Sequence, residues 1–368
     1  MDFTPTEEQT AAAALAARIF GDLSTQERLA AAGTGSDAGL WKELCAAGLV
    51  GAVADTGLLG LVLLLEEQGR VTAQVPFAAS CVYGLLAVAA HGSPEQRGRL
   101  LPGIADGTVV VTGALTEPTS VSASPPSASP ASAPPSTAES SSSPASSSSF
   151  PVELTGVLPA VPWLRDATHV LVADDRRRLR LVRTAEAVTE PVELTAPWSA
   201  GRLTLEGTPA ETLGGTGAYD DVLATARTAF AGLQAGVCAG SLARAVEHTN
   251  TREQFGQPLA ARQGVQLRAA DAYMDTEAIR VTAYEAAWRR DAGLPWATHA
   301  LTAAWWASEA GSRVVHTGQH LHGGAGADLG HPVHRHFLWG RQLDAYLGCG
   351  AELLQELGEL IVDGEAGT

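Results

Sequence analysis

Two long stretches without proline, Ala226 to Thr249 and Thr298 to Thr317, come late in the chain, and each is long enough to be a helix of a bundle. The second carries Trp305 and Trp306 among alanines. Upstream of them the pattern is different. Thr108-Val109-Val110-Val111-Thr112 and Thr168-His169-Val170-Leu171-Val172 are β-branched runs bounded by turns, with further strand candidates around Leu179 to Val182 and Arg202 to Leu205. Residues 1 to about 105 read as helices again. Thr6-Glu7-Glu8 leads into Ala11 to Phe20 with acidic residues where a first helical turn favours negative charge. Leu58 to Gly69 and Phe77 to Ala90 carry wide apolar faces, and Ser93-Pro94 supplies an N-cap followed by proline at the first helical position. Helices, then strands, then long helices make an α+β chain, not an alternating one.

The division that follows is an N-terminal helical domain over 1–106, a middle β domain over 107–220 and a C-terminal helical bundle over 221–368. Inside the β domain, Thr119 to Pro151 is almost entirely Ser, Pro, Ala and Thr. So little apolar surface does not offset the entropy of ordering, and the insertion 119–151 is expected to be a disordered loop.

Composition narrows the function. The 368 residues are 45% hydrophobic, enough for a sizeable core, and their net charge of -16 with no basic block argues against nucleic acid. Cys45, Cys81, Cys238 and Cys349 have no CxxC spacing, which fits a reducing cytoplasm and neither a zinc site nor a disulfide framework. Met1 to Glu8 has no secretory pattern, and the apolar run Leu58 to Leu65 falls short of the roughly 20 residues of a membrane span. A soluble, cytoplasmic protein without membrane insertion is expected. His316, His320, His322, His331, His334 and His336 cluster in sequence, but only Asp328 lies near them as a further ligand, so no metal is assigned.

Several separated motifs resemble the acyl-CoA dehydrogenase family, in the family's order. They are Met1 to Glu8, Trp41-Lys42-Glu43-Leu44 through Gly48-Leu49, Glu66-Glu67-Gln68-Gly69-Arg70, and Ala114-Leu115-Thr116-Glu117-Pro118. Arg252-Glu253-Gln254-Phe255-Gly256 resembles an Arg-x-x-Phe-Gly signature with Gln263 after it. His322-Gly323-Gly324-Ala325-Gly326 and Gly330-His331-Pro332-Val333-His334-Arg335 resemble its closing elements. The resemblance implies an N-terminal helical domain, a middle β-barrel and a C-terminal four-helix bundle. It also implies FAD, held between the β domain, the bundle and a neighbouring subunit. The substrate would be an acyl-CoA thioester that loses its α and β hydrogens, with an electron-transfer flavoprotein as acceptor.

That chemistry needs a carboxylate against a weakly acidic α-proton in a dry pocket. The family places a glutamate either in a Tyr-Glu-Gly sequence, which falls here on Tyr346-Leu347-Gly348, or before an arginine, which falls here on Ala226-Arg227. Leu347 and Ala226 thus stand at the base positions, and neither accepts a proton. The displaced candidates are Asp344, three residues from Leu347 on nearly the same face of a helix, then Glu352 and Asp328.

Flavin contacts are uneven. Thr116 is a cofactor candidate, but Thr116-Glu117-Pro118 runs straight into the Ser/Pro tract, and Ala160-Val161-Pro162 replaces a Trp-Ile-Thr/Ser strand. The adenine and pyrophosphate half is better kept: Arg252 as a charged donor to phosphate, Gln254 and Phe255 beside the adenosine, Gln263, and Gly323, Gly324 and Gly326 for close approach of backbone N–H groups. Three readings stay open. One is a base-lacking subunit, like those of actinobacterial hetero-oligomeric acyl-CoA dehydrogenases, that completes a second family subunit's flavin site. Another is a self-sufficient homo-oligomer, dimer or tetramer, with a displaced base. The third is a non-enzymatic scaffold or acyl-CoA-binding protein.

Overall fold

The computed structural model describes residues 2–115, 121–125, 152–346 and 348–366. Helix α1 (Glu7–Leu23) opens with a capping box, in which the Thr6 hydroxyl accepts from Gln9 N at 3.2 Å and the Gln9 side chain accepts from Thr6 N at 2.9 Å. Then come α2 (Gln26–Ala32), α3 (Ala38–Ala46) and α4 (Leu49–Arg70). Helix α5 (Phe77–Ala79) continues through a π-helical segment, Ser80–Leu86, into α6 (Ala87–His91), and Ser93 caps α7 (Pro94–Ala105).

Helix α4 kinks at Gly57, whose φ of 72° and ψ of -165° lie outside the helical range. The amides freed there are taken by a distant carboxylate: Asp291 accepts from Leu58 N and Leu59 N, each at 2.9 Å. A Cβ on Gly57 would sit 2.7 Å from that carboxylate, so glycine is required twice over. Asp291→Ala is therefore expected to cost about 2–4 kcal/mol, since two amides at a buried helix start lose their acceptor. Chemical denaturation measures this, and an unshifted midpoint would contradict the capping role.

The middle of the chain forms β1 (Val111–Ala114), β2 (Ser122–Ser124), β3 (Val152–Val161), β4 (His169–Ala173), β5 (Leu179–Arg183), β6 (Val188–Pro191) and β7 (Gly201–Thr212). The sheet order is β1-β4-β5-β7-β3-β2, with β6 also on β7, and only β1–β4 is parallel. The barrel expected from the resemblance is not closed among the described residues. Strand β7 takes β6 along Gly201–Thr204 and β5 along Ala210–Thr212, while β3 occupies its other edge. The sheet thus branches at β7, and short β1 and β2 are left at opposite edges.

Strand β2 also corrects the loop expected over 119–151. Ser122, Ala123 and Ser124 pair with Thr155, Leu154 and Glu153, and Val121 beside them is fully buried. The edge of β3 supplies backbone partners that a Ser-rich segment can use whatever its side chains. The remainder of the tract, 119–120 and 126–151, lies outside the described residues. At the β4–β5 turn, buried Asp174 accepts from Arg176 N and Arg178 N at 3.0 Å and from Arg180 Nε at 2.9 Å.

The bundle comprises α8 (Ala218–Thr251), α9 (Gln263–Asp291), α10 (Ala297–His322), α11 (Pro332–Tyr346) and α12 (Gly350–Ala366), with a small hairpin of β8 (Glu253–Gln254) and β9 (Gln257–Pro258) after α8. Both proline-free stretches are helical, as expected. Helices α4 and α8 touch through backbone: a Cβ on Gly236 would collide with the Glu66 carbonyl oxygen. By length and composition these two helices are apolar enough to cross a membrane, but 61% and 78% of their apolar windows are buried within this fold.

Candidate functional site

The helix that carries Ala226 packs beside Tyr346, the neighbour of Leu347. Ala226 is 3% exposed on α8; Leu347 lies outside the described residues, but its neighbour Tyr346 ends α11. Phe230, one turn after Ala226, meets Tyr346 with ring centroids 4.7 Å apart. Packing then fills the junction. The Tyr83 and Tyr346 hydroxyls hydrogen-bond to each other, and Trp198 stands edge-on to Tyr346 at 6.3 Å. Trp198 in turn stacks on Trp163 at 5.4 Å and meets Trp339 edge-on at 5.3 Å. All of these rings are buried.

The π-helical segment sets Tyr83 in place, and a Cβ on Gly113 of β1 would lie 2.5 Å from its ring, so strand and ring are in direct contact. Burial pushes both tyrosine hydroxyls well above their ordinary pKa, and they stay neutral. Among the described residues the junction is hydrocarbon, indole and phenol, and the ring cluster includes no carboxylate.

The displaced acids are engaged or remote. Asp344 accepts from Ser308 Oγ at 2.5 Å and from Arg341 at 3.2 Å, tying α11 to α10. Leu347 lies outside the described residues, and with it the helical face expected for Asp344 and Leu347. Glu352 is exposed on α12, and Asp328 is exposed in a loop, accepting from Gly330 N at 2.9 Å. The fold adds a carboxylate that sequence reasoning missed: Glu356 of α12 pairs in two-pronged fashion with Arg227, next to Ala226, at 2.8 and 2.7 Å. Its charge is already matched.

The adenine and pyrophosphate candidates lie on two segments, one after α8 and one at the end of α10. Phe255 and Gly256 join β8 to β9 with φ of 56° and 79°, the pair of positive values that a type I′ turn needs. Phenylalanine is strained there, yet its ring is 91% exposed, with the Arg262 guanidinium 5.2 Å above it. Arg252, Gln254 and Gln263 are exposed, as are Gly323 and Gly324 at the end of α10, where Gly323 takes a φ of 61°. Gly326 is buried instead, tight against Gln319 O. Thr116 lies outside the described residues.

This set, the exposed Arg252, a strained exposed aromatic ring and two open glycines, fits an anionic group that carries an aromatic ring. The isoalloxazine half does not fit in the same way. Pro162 O accepts from Thr112 Oγ1 at 2.6 Å, and Trp163 turns inward onto Trp198. Among the histidines, His322 stacks on His248 at 4.6 Å and meets His331 at 4.8 Å. His336, buried against Arg70 O at 2.9 Å, is driven down to about 4 and is neutral. Among the described residues no group of three His, Cys, Asp or Glu is placed to hold a metal.

A sheet set between N-terminal helices and a C-terminal helical bundle is the architecture that the resemblance to a flavin-dependent oxidoreductase family implies. The acyl-CoA dehydrogenase N-terminal domain matches residues 6–108, and the acyl-CoA dehydrogenase C-terminal domain matches residues 214–359. Acyl-CoA dehydrogenase FadE27 of Mycobacterium tuberculosis is 32% identical over 99% of both chains. Among solved structures, a variant of the Tcur3481-Tcur3483 steroid ACAD is 38% identical, with a TM-score of 0.88 over 98% of this chain and 99% of that one. The ChsE4-ChsE5 complex from Mycobacterium tuberculosis is 29% identical, with a TM-score of 0.85 over the same shares. This chain belongs to the acyl-CoA dehydrogenase family of flavin-dependent oxidoreductases.

Proposed function

We propose that this chain is a base-lacking, cytoplasmic subunit of an FAD-dependent acyl-CoA dehydrogenase, and that it completes the flavin site of a second family subunit. One observation carries the reading: Ala226 and Tyr346, the neighbour of Leu347, border a junction filled by Phe230, Tyr346, Tyr83 and Trp198, whose rings include no carboxylate among the described residues. A cluster this closely packed leaves no room for a thioester without displacing buried rings.

On this reading residues 1–106, 107–220 and 221–368 act as three bodies, and the working residues of the chain lie on the outside of the third. Arg252 holds a pyrophosphate oxygen, Phe255 lies against the adenosine with Gln254 beside it, and the Gly323-Gly324 turn lets amides approach the phosphates. FAD, when bound, supplies the hydride acceptor, and the second subunit supplies the carboxylate. Two of the similar structures are named for two proteins each, which supports an unlike partner, and the word steroid in one of those names makes a steroid-bearing acyl-CoA the first substrate to try. An electron-transfer flavoprotein fits as the acceptor.

Expression alone and together with a family member that has glutamate at either base position tests the reading. The isolated chain should carry no flavin absorbance and leave acyl-CoA unoxidised, whereas the pair should co-purify with FAD and bleach on adding substrate. An isolated chain that oxidises a thioester at an ordinary enzymatic rate ends the proposal.

A further inference from the structure

Helix α11 begins Pro332-Val333, and proline has no N–H, so the Val333 amide is the first that the helix itself leaves without a partner. A histidine takes it: His331 Nδ1 accepts from Val333 N at 3.2 Å. That ring nitrogen therefore carries a lone pair, and the proton of the neutral ring sits on Nε2. A serine or asparagine oxygen would serve this place at any pH, whereas an imidazole serves it only while neutral. Protonation turns Nδ1 into a second donor against the amide of Val333, whose side chain is fully buried. It also sets a positive charge on the positive end of the helix.

The surroundings oppose that proton from two further elements. Arg244 and His248 act on His331 from α8, and His322 meets it from the end of α10 with ring centroids 4.8 Å apart. His322 is itself stacked on His248 at 4.6 Å, and its Nδ1 donates to Gly318 O at 2.7 Å. Asp328, in the loop before α11, pulls the other way. Burial first, then His322 and Arg244, hold His331 below its ordinary pKa.

We propose that His331 is a proton-operated latch on the loop that joins α10 to α11, closed while its ring is neutral and open once the ring is charged. The folded ring resists protonation, so the hold is full above about pH 6.5 and is lost as pH falls below that value, where the open loop takes the proton first. The loop carries the Gly323-Gly324 turn, so acid would loosen the flavin face. That consequence rests on the function proposed above, whereas the latch itself needs neither flavin nor partner.

Amide hydrogen exchange on the full isolated chain, corrected for the intrinsic rate, tests the latch. Between about pH 7.5 and about pH 5.5, protection over 323–335 should fall about five- to tenfold while the middle of α8 is unchanged. His331→Asn, whose oxygen does not titrate, should protect the loop alike at both pH values, and His331→Ala should protect it at neither. In NMR spectra of the parent chain, the His331 ring and the Val333 amide should titrate together with a midpoint below about 6.5. Parent protection that does not change with pH, a His331→Asn loop that still opens in acid, or a ring that titrates without the amide overturns the proposal. A loop that opens while the paired complex keeps its FAD in acid upholds the latch and removes the Gly323-Gly324 turn from the flavin site.

Discussion

Arg252→Ala in the assembled complex is expected to weaken FAD retention about 10- to 150-fold, since a hydrogen bond to a charged group contributes about 1.5–3 kcal/mol and each 1.4 kcal/mol is a factor of ten. Arg252 is exposed directly after α8, so removing its side chain opens no cavity and should leave thermal unfolding of the isolated chain unchanged. The loss should be seen in flavin fluorescence titrations of the complex. Phe255→Gly gives a companion readout. It relieves a φ of 56° that glycine adopts freely, so it should hold or raise stability while still loosening the adenosine. Full FAD retention by both variants would remove this face from the flavin site.

Trp198→Ala should cost about 3–5 kcal/mol in denaturant unfolding, the usual range for deleting a buried indole. Its side chain is 1% exposed and touches Trp163, Trp339 and Tyr346, so the void opens at the meeting point of sheet and bundle. Trp198→Phe separates packing from hydrogen bonding. The Trp198 indole N–H finds no acceptor among the described residues, so phenylalanine loses volume but gives up no bond and should cost well under half as much. Equal losses for the two changes would show that the indole nitrogen, not the packed ring, matters at this junction.

Much of the fold was legible because its signals are local. The acidic first turn at Glu7 and Glu8, the cap at Ser93 and the proline-free runs around Ala226 and Thr298 depend on neighbours a few residues away, and these helices appear where expected. The branched sheet was not legible, because β7 takes β5 and β6 on one edge through pairings that no short window contains. The same divide runs through the site. Arg252, Phe255 and the glycines were readable as residue types at set spacings, whereas the aromatic junction gathers positions 83, 163, 198, 230, 339 and 346 from across the chain. Its only trace in one sequence is eight tryptophans, a count with no address. Asp344 shows the converse: periodicity singled it out as a displaced base, and its partners Ser308 and Arg341, the first 36 residues away in sequence, were not readable from that spacing.

The Asp291 carboxylate that caps the kink of α4 lies 233 residues downstream of Leu58. During synthesis the amides at that kink therefore have no native acceptor until most of the polypeptide has left the ribosome. A nascent chain ending at the sheet should remain protease-sensitive around Gly57, and the N-terminal helices should lock only when the end of α9 arrives, as expected for a topology whose tightest couplings are among its most distant.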